Sequence, residues 1–374
     1  MNIKNKLLLF FFTISALIAN QSFTVIVTAE VLEKDDKIVF LMGDAHFSNY
    51  LVYYRDAYKN LFNKNAYKKL ETYIVNYFIL ELEQAIQITK ILNTIINKQV
   101  LNIFLEQNLH ITKNDIQMVY LLENKYINLP PDKFRDFIHK YFFERSLLKK
   151  LFKPIDLVTS MQAIQILINK IGIQTTNVDF RPIGKIKSER HHLLTDELNK
   201  ILDEIKTYQD KNKILARYYQ KTYEDYIELL FTQPESKETE DAYHKLVDVR
   251  TVHQIINSDK KIFIVVEGDF HVINISTILK IIGFKEKEKL NYNPMNTKIS
   301  IPASINDELI KEKLTFDYSK IKFGPKEQEF KKIETEIFAS QQMLLVLQEN
   351  MSGKVLHNFM QRHLEPYIKI KSKL

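Results

Sequence analysis

The stretch that most constrains the fold is KKIFIVVEGDFHV, at residues 260–272. Its five consecutive apolar residues, from Ile262 to Val266, do not alternate with polar ones, which indicates a strand buried on both faces. Such strands occur in sheets that helices cover on both sides. With only 7 glycines and 9 prolines in 374 residues, the remaining chain favours long helices over tight turns. The sequence therefore predicts an α/β fold with a central mixed sheet flanked by helices.

The organisation of the chain follows from where strand-like and helical patterns alternate. Further strand-like runs are predicted at residues 22–32, 38–42, 76–84 and 171–182. We divide the chain into an α/β core at 22–84 and 171–290, a large helical insertion or cap at 85–170, and a helical C-terminal extension at 291–374. In an open α/β sheet the ligand crevice lies beyond the carboxyl ends of the strands, so site residues are expected there.

The N-terminus has the three-part layout of a secretory signal peptide. Lysines near the start precede an uncharged apolar run at 7–19, and polar residues follow. With residues 1–20 as signal peptide, cleavage is expected near Ala19 or at the later Ala29, which predicts a periplasmic or secreted protein. The alternative is a retained segment at 7–29 that anchors the chain at a membrane surface.

Composition narrows the classes of partner. The formal net charge is +7, but basic residues are dispersed among acidic ones and form no compact stripe interleaved with aromatic residues. No nucleic-acid partner is therefore predicted. The chain has no cysteine, which excludes disulfides and cysteine metal ligands.

Two segments resemble each other closely. FLMGDAHF at 40–47 and VVEGDFHV at 265–272 are both apolar strands that end in Gly-Asp-x-His. With 7 glycines and 10 histidines in 374 residues, chance yields about 0.2 Gly-x-x-His motifs per chain. The repeated motif therefore indicates a shared role at the strand ends.

The residue types in this motif suit a metal ion. Gly43 and Gly268 would let the backbone turn tightly and approach a bound group. His46 and His271 would lie just past the strand ends, where a neutral imidazole can bind a divalent cation. Two histidines and a carboxylate would form an open site of the kind that catalytic zinc occupies. The alternative is that each histidine simply caps a turn.

Acidic residues supply the other predicted ligands. Asp44 and Asp269 belong to the two motifs and are candidate metal ligands or helix caps. Glu81 and Glu83 in FILELEQ, two positions apart on a predicted strand, would point to one face. A carboxylate within an apolar strand is costly unless it is paired or binds a metal, although a solvated strand face would produce the same pattern. Glu81 is taken as a ligand, and Glu83 or a motif aspartate as general base.

Arg250 lies on a predicted helix that leads into the second motif, and it could bind a substrate carboxylate or stabilise developing negative charge. Asp179 and Arg181, also two positions apart, are interpreted either as site residues or as an ion pair at a strand end. His244 and His253 have no matching carboxylate pattern and are interpreted as structural.

These motifs resemble the TraB/PrgY and Tiki superfamily, which also includes erythromycin-esterase-like and ChaN-like proteins. That superfamily is recognised by two GxxH motifs, a strand glutamate and a helical arginine. The resemblance covers about 22–84 and 171–290, and DVRTVHQIINSDKKIFIVVEGDFHV is similar to the arginine helix that runs into the second motif. Asp44 stands where the TraB and Tiki branches commonly have threonine.

The resemblance implies a metal-dependent hydrolase with His46, Glu81, Arg250 and His271 at the site. The substrate would be a peptide or a small ester, and the ion zinc, manganese or cobalt. Two other functions stay open: a haem- or partner-binding protein on the same scaffold, and a metallophosphoesterase, since Asp44-x-His46 imitates the first motif of that family. The Gly-Asn-His-Asp/Glu element of the metallophosphoesterases is absent from the sequence.

Overall fold

The computed structural model describes most of the chain, and the statements below concern these residues. They are 23–47, 64–106, 111–143, 160–178, 199, 203, 213–233, 236–291 and 326–368. The predicted signal peptide at 1–20 lies outside them, as do Asp179, Arg181 and residues 292–325 of the predicted C-terminal extension.

The strands, in chain order, are β1 (Phe23–Lys34), β2 (Lys37–Phe47), β3 (Leu101–Leu105), β4 (Thr175–Asn177), β5 (Ile262–Gly268) and β6 (Lys285–Asn291). The helices in the described ranges are α1 (Lys64–Asn93), α2 (Lys113–Asn128), α3 (Pro131–Phe143), α4 (Ser160–Lys170), α5 (Lys213–Thr232), α6 (Lys237–Asn257), α7 (Asp269–Ile281), α8 (Lys326–Asn350) and α9 (Gly353–Leu364).

The six strands form one mixed sheet in the order β4-β3-β5-β2-β1-β6, which confirms the predicted α/β architecture. Strands β2, β5, β3 and β4 run parallel, whereas β1 pairs antiparallel with β2 and with β6. The β1–β2 hairpin turns at Asp35, whose φ of 53° an aspartate tolerates better than most residues. Four parallel strands therefore end at the same edge of the sheet.

Helices cover both faces of the sheet. Ile262, Ile264 and Val266 of β5 point into a large core that includes α1, α4, α8 and α9. Phe263 and Val265 point into a second core formed with α6 and α7. The strand is thus buried on both sides, as its unbroken apolar run predicts.

The strand predicted at 76–84 is wrong, because these residues form the middle of helix α1. Leu70, Ile74 and Tyr77 are buried at helical spacing. The helical pattern therefore begins before residue 76 and continues through the segment. Helix α1 is enclosed by β1, α4 and α9, so few polar residues reveal its 3.6-residue period. A short window of aromatic and β-branched residues consequently resembles a strand.

Two segments outside the predicted core belong to the main body of the protein. Residues 85–170 are not purely helical, since β3 lies within them and takes a central place between β4 and β5. The C-terminal helix α9 packs on the sheet through Phe359, whose ring centroid is 6.3 Å from that of Phe40 in β2. His363 Nε2 of the same helix lies 2.8 Å from a carboxylate oxygen of Glu288 in β6.

In the described part of the chain, no helix combines the length and the apolar content that a bilayer crossing requires. Ala29, the later of the two expected cleavage points, is buried within β1. Cleavage there would remove the part of β1 that pairs with β2 between Met42 and Phe47. The earlier point, near Ala19, lies outside the described residues.

Gln84 joins α1 to the irregular part of β1, where the register with β2 shifts between Ile26 and Thr28. Its Oε1 accepts the Ile26 N–H at 2.9 Å, and its Nε2 donates to the Ile26 carbonyl at 3.0 Å. The same Nε2 donates to the Met351 carbonyl at 2.7 Å, just before α9. One buried amide therefore satisfies backbone groups of β1 and of the connection between α8 and α9.

Replacing Gln84 with leucine should lower the free energy of unfolding by about 2–4 kcal/mol, because the buried Ile26 N–H and C=O would lose these partners. Gln348→Leu on α8 is the matched control, since Gln348 is exposed and should change stability by no more than about 0.5 kcal/mol. Urea denaturation measures both; equal effects would contradict this role of Gln84.

Candidate functional site

Charged residues gather where the parallel strands end. The register of β2 on β5 sets Asp44 opposite Gly268. Glu106 directly follows β3 on the other side of β5, and its Oε2 accepts the Gly268 N–H at 2.6 Å. Asp44, Glu106 and Glu267 are all buried. This is the edge at which an α/β sheet usually binds ligands.

His271 is the centre of the cluster. It lies in the first turn of α7, directly after β5, and is almost completely buried. Its Nδ1 is hydrogen-bonded to Oδ1 of Asp248 on α6. Asn274, one turn further along α7, donates to Asp248 Oδ2 at 2.9 Å. Asp248 thereby fixes the orientation of the imidazole ring.

The other ring nitrogen of His271 faces two further polar groups. His271 Nε2 lies 3.0 Å from Nδ1 of His244, which is on α6 one turn before Asp248. It also lies 3.7 Å from Oε1 of Glu106. The histidine thus has one nitrogen on Asp248 and the other directed at His244 and Glu106.

Glu267, the last side chain of β5, is completely buried beside this ring. Thr251 of α6 donates to its Oε1 at 2.8 Å, and Oε2 has no hydrogen-bond partner. Burial raises the pKa of Glu267 to about 8, although the charge of His271 and the Thr251 hydrogen bond oppose the shift. The carboxyl group is therefore protonated at neutral pH when no cation is bound.

Asp44 and Asp269 add two more carboxyl groups. Burial raises the pKa of Asp44 well above its usual value, and the negative charges of Glu106 and Asp269 raise it further, while His271 lowers it. Asp269 opens α7 and lies against β2, with a buried oxygen, Oδ1, that has no hydrogen-bond partner. Both aspartates therefore face the same crowded region.

Burial and the contact between Asp248 and His271 shift the pKa of both residues. Burial raises the pKa of Asp248, against the lowering effect of its contacts with His271 and Asn274. Burial also disfavours the imidazolium form of His271, but the hydrogen bond to Asp248 and the charges of Asp248, Glu106 and Glu267 outweigh it and raise the pKa. The His271 imidazolium is therefore favoured by the acidic groups around it, while burial favours the neutral form of Asp248.

A metal ion could be held here. Asp248, Glu267 and His271 each offer a ligand atom, these atoms all lie within 4.8 Å of one another, and the three residues are buried. Carboxylate and imidazole ligands together suit zinc, manganese or cobalt. The unpartnered Oε2 of Glu267 fits the group as well, because a buried carboxylate oxygen normally has a proton donor or a cation beside it.

Some of the predicted site residues lie close together in the structure. His271, Asp44 and Asp269 lie together, and a side chain at Gly268 would face Glu106, His271 and Asp44. Gly43 has a packing role: a Cβ there would overlap with Asp269 Oδ1 and lie 2.9 Å from Asp269 Cα. The missing side chain makes room for the start of α7.

Glu81 and Glu83 do not share a face as predicted, since they lie on α1, where residues two apart point in different directions. Glu81 is buried on the face of the sheet opposite α6 and α7. Glu83 lines a separate groove of about 660 Å³, which is bounded by α1 on one side and by Tyr126 and Arg135 on the other. Burial raises the pKa of Glu83.

The remaining predicted residues are His46 and Arg250. His46 pairs with Thr24 in the β1–β2 ladder, and its side chain lies outside the described part of the structure. Arg250 lies on α6, as predicted, and its Nη1 donates to the Val178 carbonyl at 3.1 Å. Since Val178 N–H in turn donates to the Leu105 carbonyl, Arg250 reaches the carboxyl ends of β3 and β4.

Sequence reasoning missed four site residues: Glu106, His244, Asp248 and Glu267. Glu106 directly follows the short strand LNIFL, whose apolar pattern is interrupted by Asn102 and lies within a stretch interpreted as helical. His244, Asp248 and Thr251 follow helical spacing on α6 and form a polar stripe toward the sheet. Glu267 precedes the second motif directly and has no counterpart in the first, where Met42 stands.

No protein-family model, curated protein or solved structure matches this chain.

We expect Gly43→Ala to disturb the site more than Gly268→Ala does. At Gly43 the new methyl group would meet the Asp269 backbone, whereas at Gly268 it would meet only side-chain atoms, the nearest being Glu106 Oε2 at 3.2 Å. Thermal unfolding should show a loss of about 1–3 kcal/mol for Gly43→Ala and a smaller one for Gly268→Ala. Equal losses would contradict the packing role of Gly43.

The stability of the metal-free protein should depend on pH through Glu267. Its pKa is about 8 in the folded state and near 4.5 in the unfolded chain, so the folded state binds more protons between these values. Stability conferred by this group therefore falls as pH rises from 4.5 to 8 and is constant above. The raised pKa values of Asp44, Asp248 and His271 act in the same direction.

Glu267→Gln removes this titration and can keep the Thr251 hydrogen bond. Measured with a chelator present, the stability of wild type minus that of the variant should fall with rising pH by up to about 1.4 kcal/mol per unit. Urea denaturation from about pH 5 to about pH 8.5 tests this. A constant difference would show that Glu267 titrates normally.

Proposed function

We propose that the protein is a metal-dependent hydrolase that acts on a peptide or ester bond. The observation that carries the proposal is the buried arrangement of His271 and Asp248 among further carboxyl groups at the carboxyl edge of the parallel strands. Catalytic metal sites combine these residue types, and α/β folds build their sites at this edge.

The balance of charge supports a bound cation. Five carboxyl groups, those of Asp44, Glu106, Asp248, Glu267 and Asp269, interact around His271. Buried like charges cannot all ionise, so without a metal they must hold protons, as the raised pKa values indicate. A divalent ion would replace those protons and is the natural counter-charge for such a cluster.

The protein's own groups supply the other parts of a hydrolytic mechanism. When bound, the ion would supply a water molecule of lowered pKa. Asp248 holds the His271 ring in one orientation. Glu267, buried beside the His271 ring with its Oε1 hydrogen-bonded to Thr251, is a candidate group to accept or donate a proton during the reaction. Arg250, at the ends of β3 and β4, is the candidate to steady substrate charge.

The resemblance to the TraB/PrgY and Tiki superfamily supports the same chemistry. Its pattern includes a strand glutamate, and the resemblance implies Glu81 in that role. Glu106 fits that role better, because it follows β3 and approaches His271. Together with the two Gly-Asp-x-His segments and Arg250 on its helix, this completes the pattern, and we propose membership on that basis.

The surroundings of the site favour a substrate with an apolar group. Phe270, between Asp269 and His271 in the chain, is 67% exposed, and Ile273 is 46% exposed on the same helix. Large exposed apolar side chains beside a polar cluster are typical of binding surfaces. The signal-like residues 1–20 further suggest that the enzyme meets its substrate after export.

Elemental analysis of the purified protein should find zinc, manganese or cobalt. The content should drop several-fold in His271→Ala and Glu106→Gln, because each removes a group of the cluster. His139→Ala is the control, since His139 lies on α3 beside Glu71 and should leave the metal content unchanged. Equal metal content in all four proteins would refute a metal site at His271.

Activity is tested with p-nitrophenyl esters of increasing acyl length and with unstructured peptides. We expect hydrolysis that a chelator abolishes and added metal restores, with kcat/KM at least about 100-fold lower in His271→Ala. A Soret band on titration with haem, without hydrolysis, would instead favour the haem-binding alternative. His46→Ala, assayed in parallel, shows whether the first motif contributes a ligand.

A further inference from the structure

We propose that His244 is a metal ligand and that the ion lies on the Nε2 side of His271, where His244, His271 and Glu106 form a two-histidine, one-glutamate set. The inference rests on the proposed metal-dependent function and specifies its coordination. It also selects between two ligand sets that the geometry offers, because Asp248 and Glu267 form a different group with His271.

The distances around Nε2 suit a common ligand. His244 Nδ1 lies 3.0 Å from His271 Nε2, and Glu106 Oε1 lies 3.7 Å from it. With metal–ligand bonds of about 2.05 Å and tetrahedral angles, neighbouring ligand atoms are about 3.3 Å apart. The two observed separations lie on either side of that value, so His244 and Glu106 each approach His271 Nε2 at a distance that a shared ion allows.

The partners of Asp248 indicate that it supports the ligand from behind. Its Oδ1 is hydrogen-bonded to His271 Nδ1, and its Oδ2 accepts a hydrogen bond from Asn274 at 2.9 Å. Metal-binding histidines commonly use the nitrogen that does not face the metal for a bond to a carboxylate. By this rule the ion belongs on Nε2, away from Asp248.

Helix α6 presents the relevant residues on one face. His244, Asp248 and Thr251 lie at positions i, i+4 and i+7, and each contacts the group at the ends of the strands. Glu106 is held from the opposite side, because its Oε2 accepts the Gly268 N–H while Oε1 remains directed at His271. The three ligands therefore come from α6, α7 and the end of β3.

This ligand set determines the class of metal. Two imidazoles with one carboxylate suit transition metals such as zinc, cobalt and manganese and are unsuited to magnesium or calcium, which prefer oxygen ligands throughout. Three protein ligands would leave a coordination position for water or substrate, as catalytic zinc sites do.

The test compares wild type with His244→Gln, Asp248→Asn and the control His253→Gln. His253 lies on the same helix, and its Nε2 lies 2.8 Å from Asn257 Nδ2. Isothermal titration with ZnCl2 gives the affinity, and zinc-edge X-ray absorption counts the imidazole ligands. Thermal unfolding of the metal-free proteins verifies that each variant is folded.

We expect two imidazoles in wild type and one in His244→Gln, with affinity lowered by at least about 100-fold. Asp248→Asn should cost about 10–100-fold, the range for a group that orients a ligand, and keep the imidazole count. His253→Gln should match wild type. If wild type binds no zinc, the proposed function itself fails.

If wild type binds zinc through one imidazole, His244→Gln binds as tightly, and Asp248→Asn abolishes binding, this inference alone is overturned. The ion would then lie on the Nδ1 side of His271, with Asp248 and Glu267 as ligands. Two imidazoles in wild type with unchanged binding by His244→Gln would also overturn it, because the second imidazole would then come from a histidine other than His244.

Discussion

The parallel pairing of β2 with β5 determines where the charged groups of this protein meet. The register aligns Gly43 with Glu267 and Asp44 with Gly268, so both Gly-Asp segments end at one level of the sheet. Strand β3 on the far side of β5 ends at the same level and contributes Glu106. Because Gly43 has no side chain, α7 can begin directly against β2 and place His271 over the strand ends. A shift of register by one residue would separate these groups.

At this site, the cost of burying carboxyl groups is partly offset by hydrogen bonds to them. Each carboxyl group at the site is costly to bury, and several have a specific means of reducing that cost. Glu106 accepts a backbone N–H, Glu267 accepts a threonine hydroxyl, and Asp248 accepts hydrogen bonds from His271 and Asn274. The pKa values of Asp44, Asp248 and Glu267 are nevertheless raised, because these contacts do not fully offset the cost of burying a charged carboxylate. A structural ion-pair network would contain more basic residues, so the excess of acid suggests a role for a cation.

The sequence predicted the structure best where a segment is buried uniformly on both faces. The apolar run before Gly268 predicted β5 and the α/β class correctly, because an unbroken run of this length and composition is typical of a strand covered on both faces. Helix α1 was partly mistaken for a strand, since a helix enclosed on several sides loses its polar stripe. Glu106 was missed for the related reason that a five-residue strand between helices is a weak signal. His244 and Asp248 lie 27 and 23 positions before His271 in the chain, and only tertiary packing brings them to it.

The topology also bears on how the site comes into existence during folding. The β1–β2 hairpin can form locally, but Ile38 pairs with Ile262, a contact between residues more than two hundred positions apart. Closing so long a loop is slow relative to helix formation, so the β2–β5 contact should belong to the late stages of folding. The carboxylates and imidazoles therefore stay dispersed, solvated and weakly interacting until the sheet is nearly complete. The proposed metal site would therefore form only once the central strands have docked, so binding of an ion there would require the folded sheet.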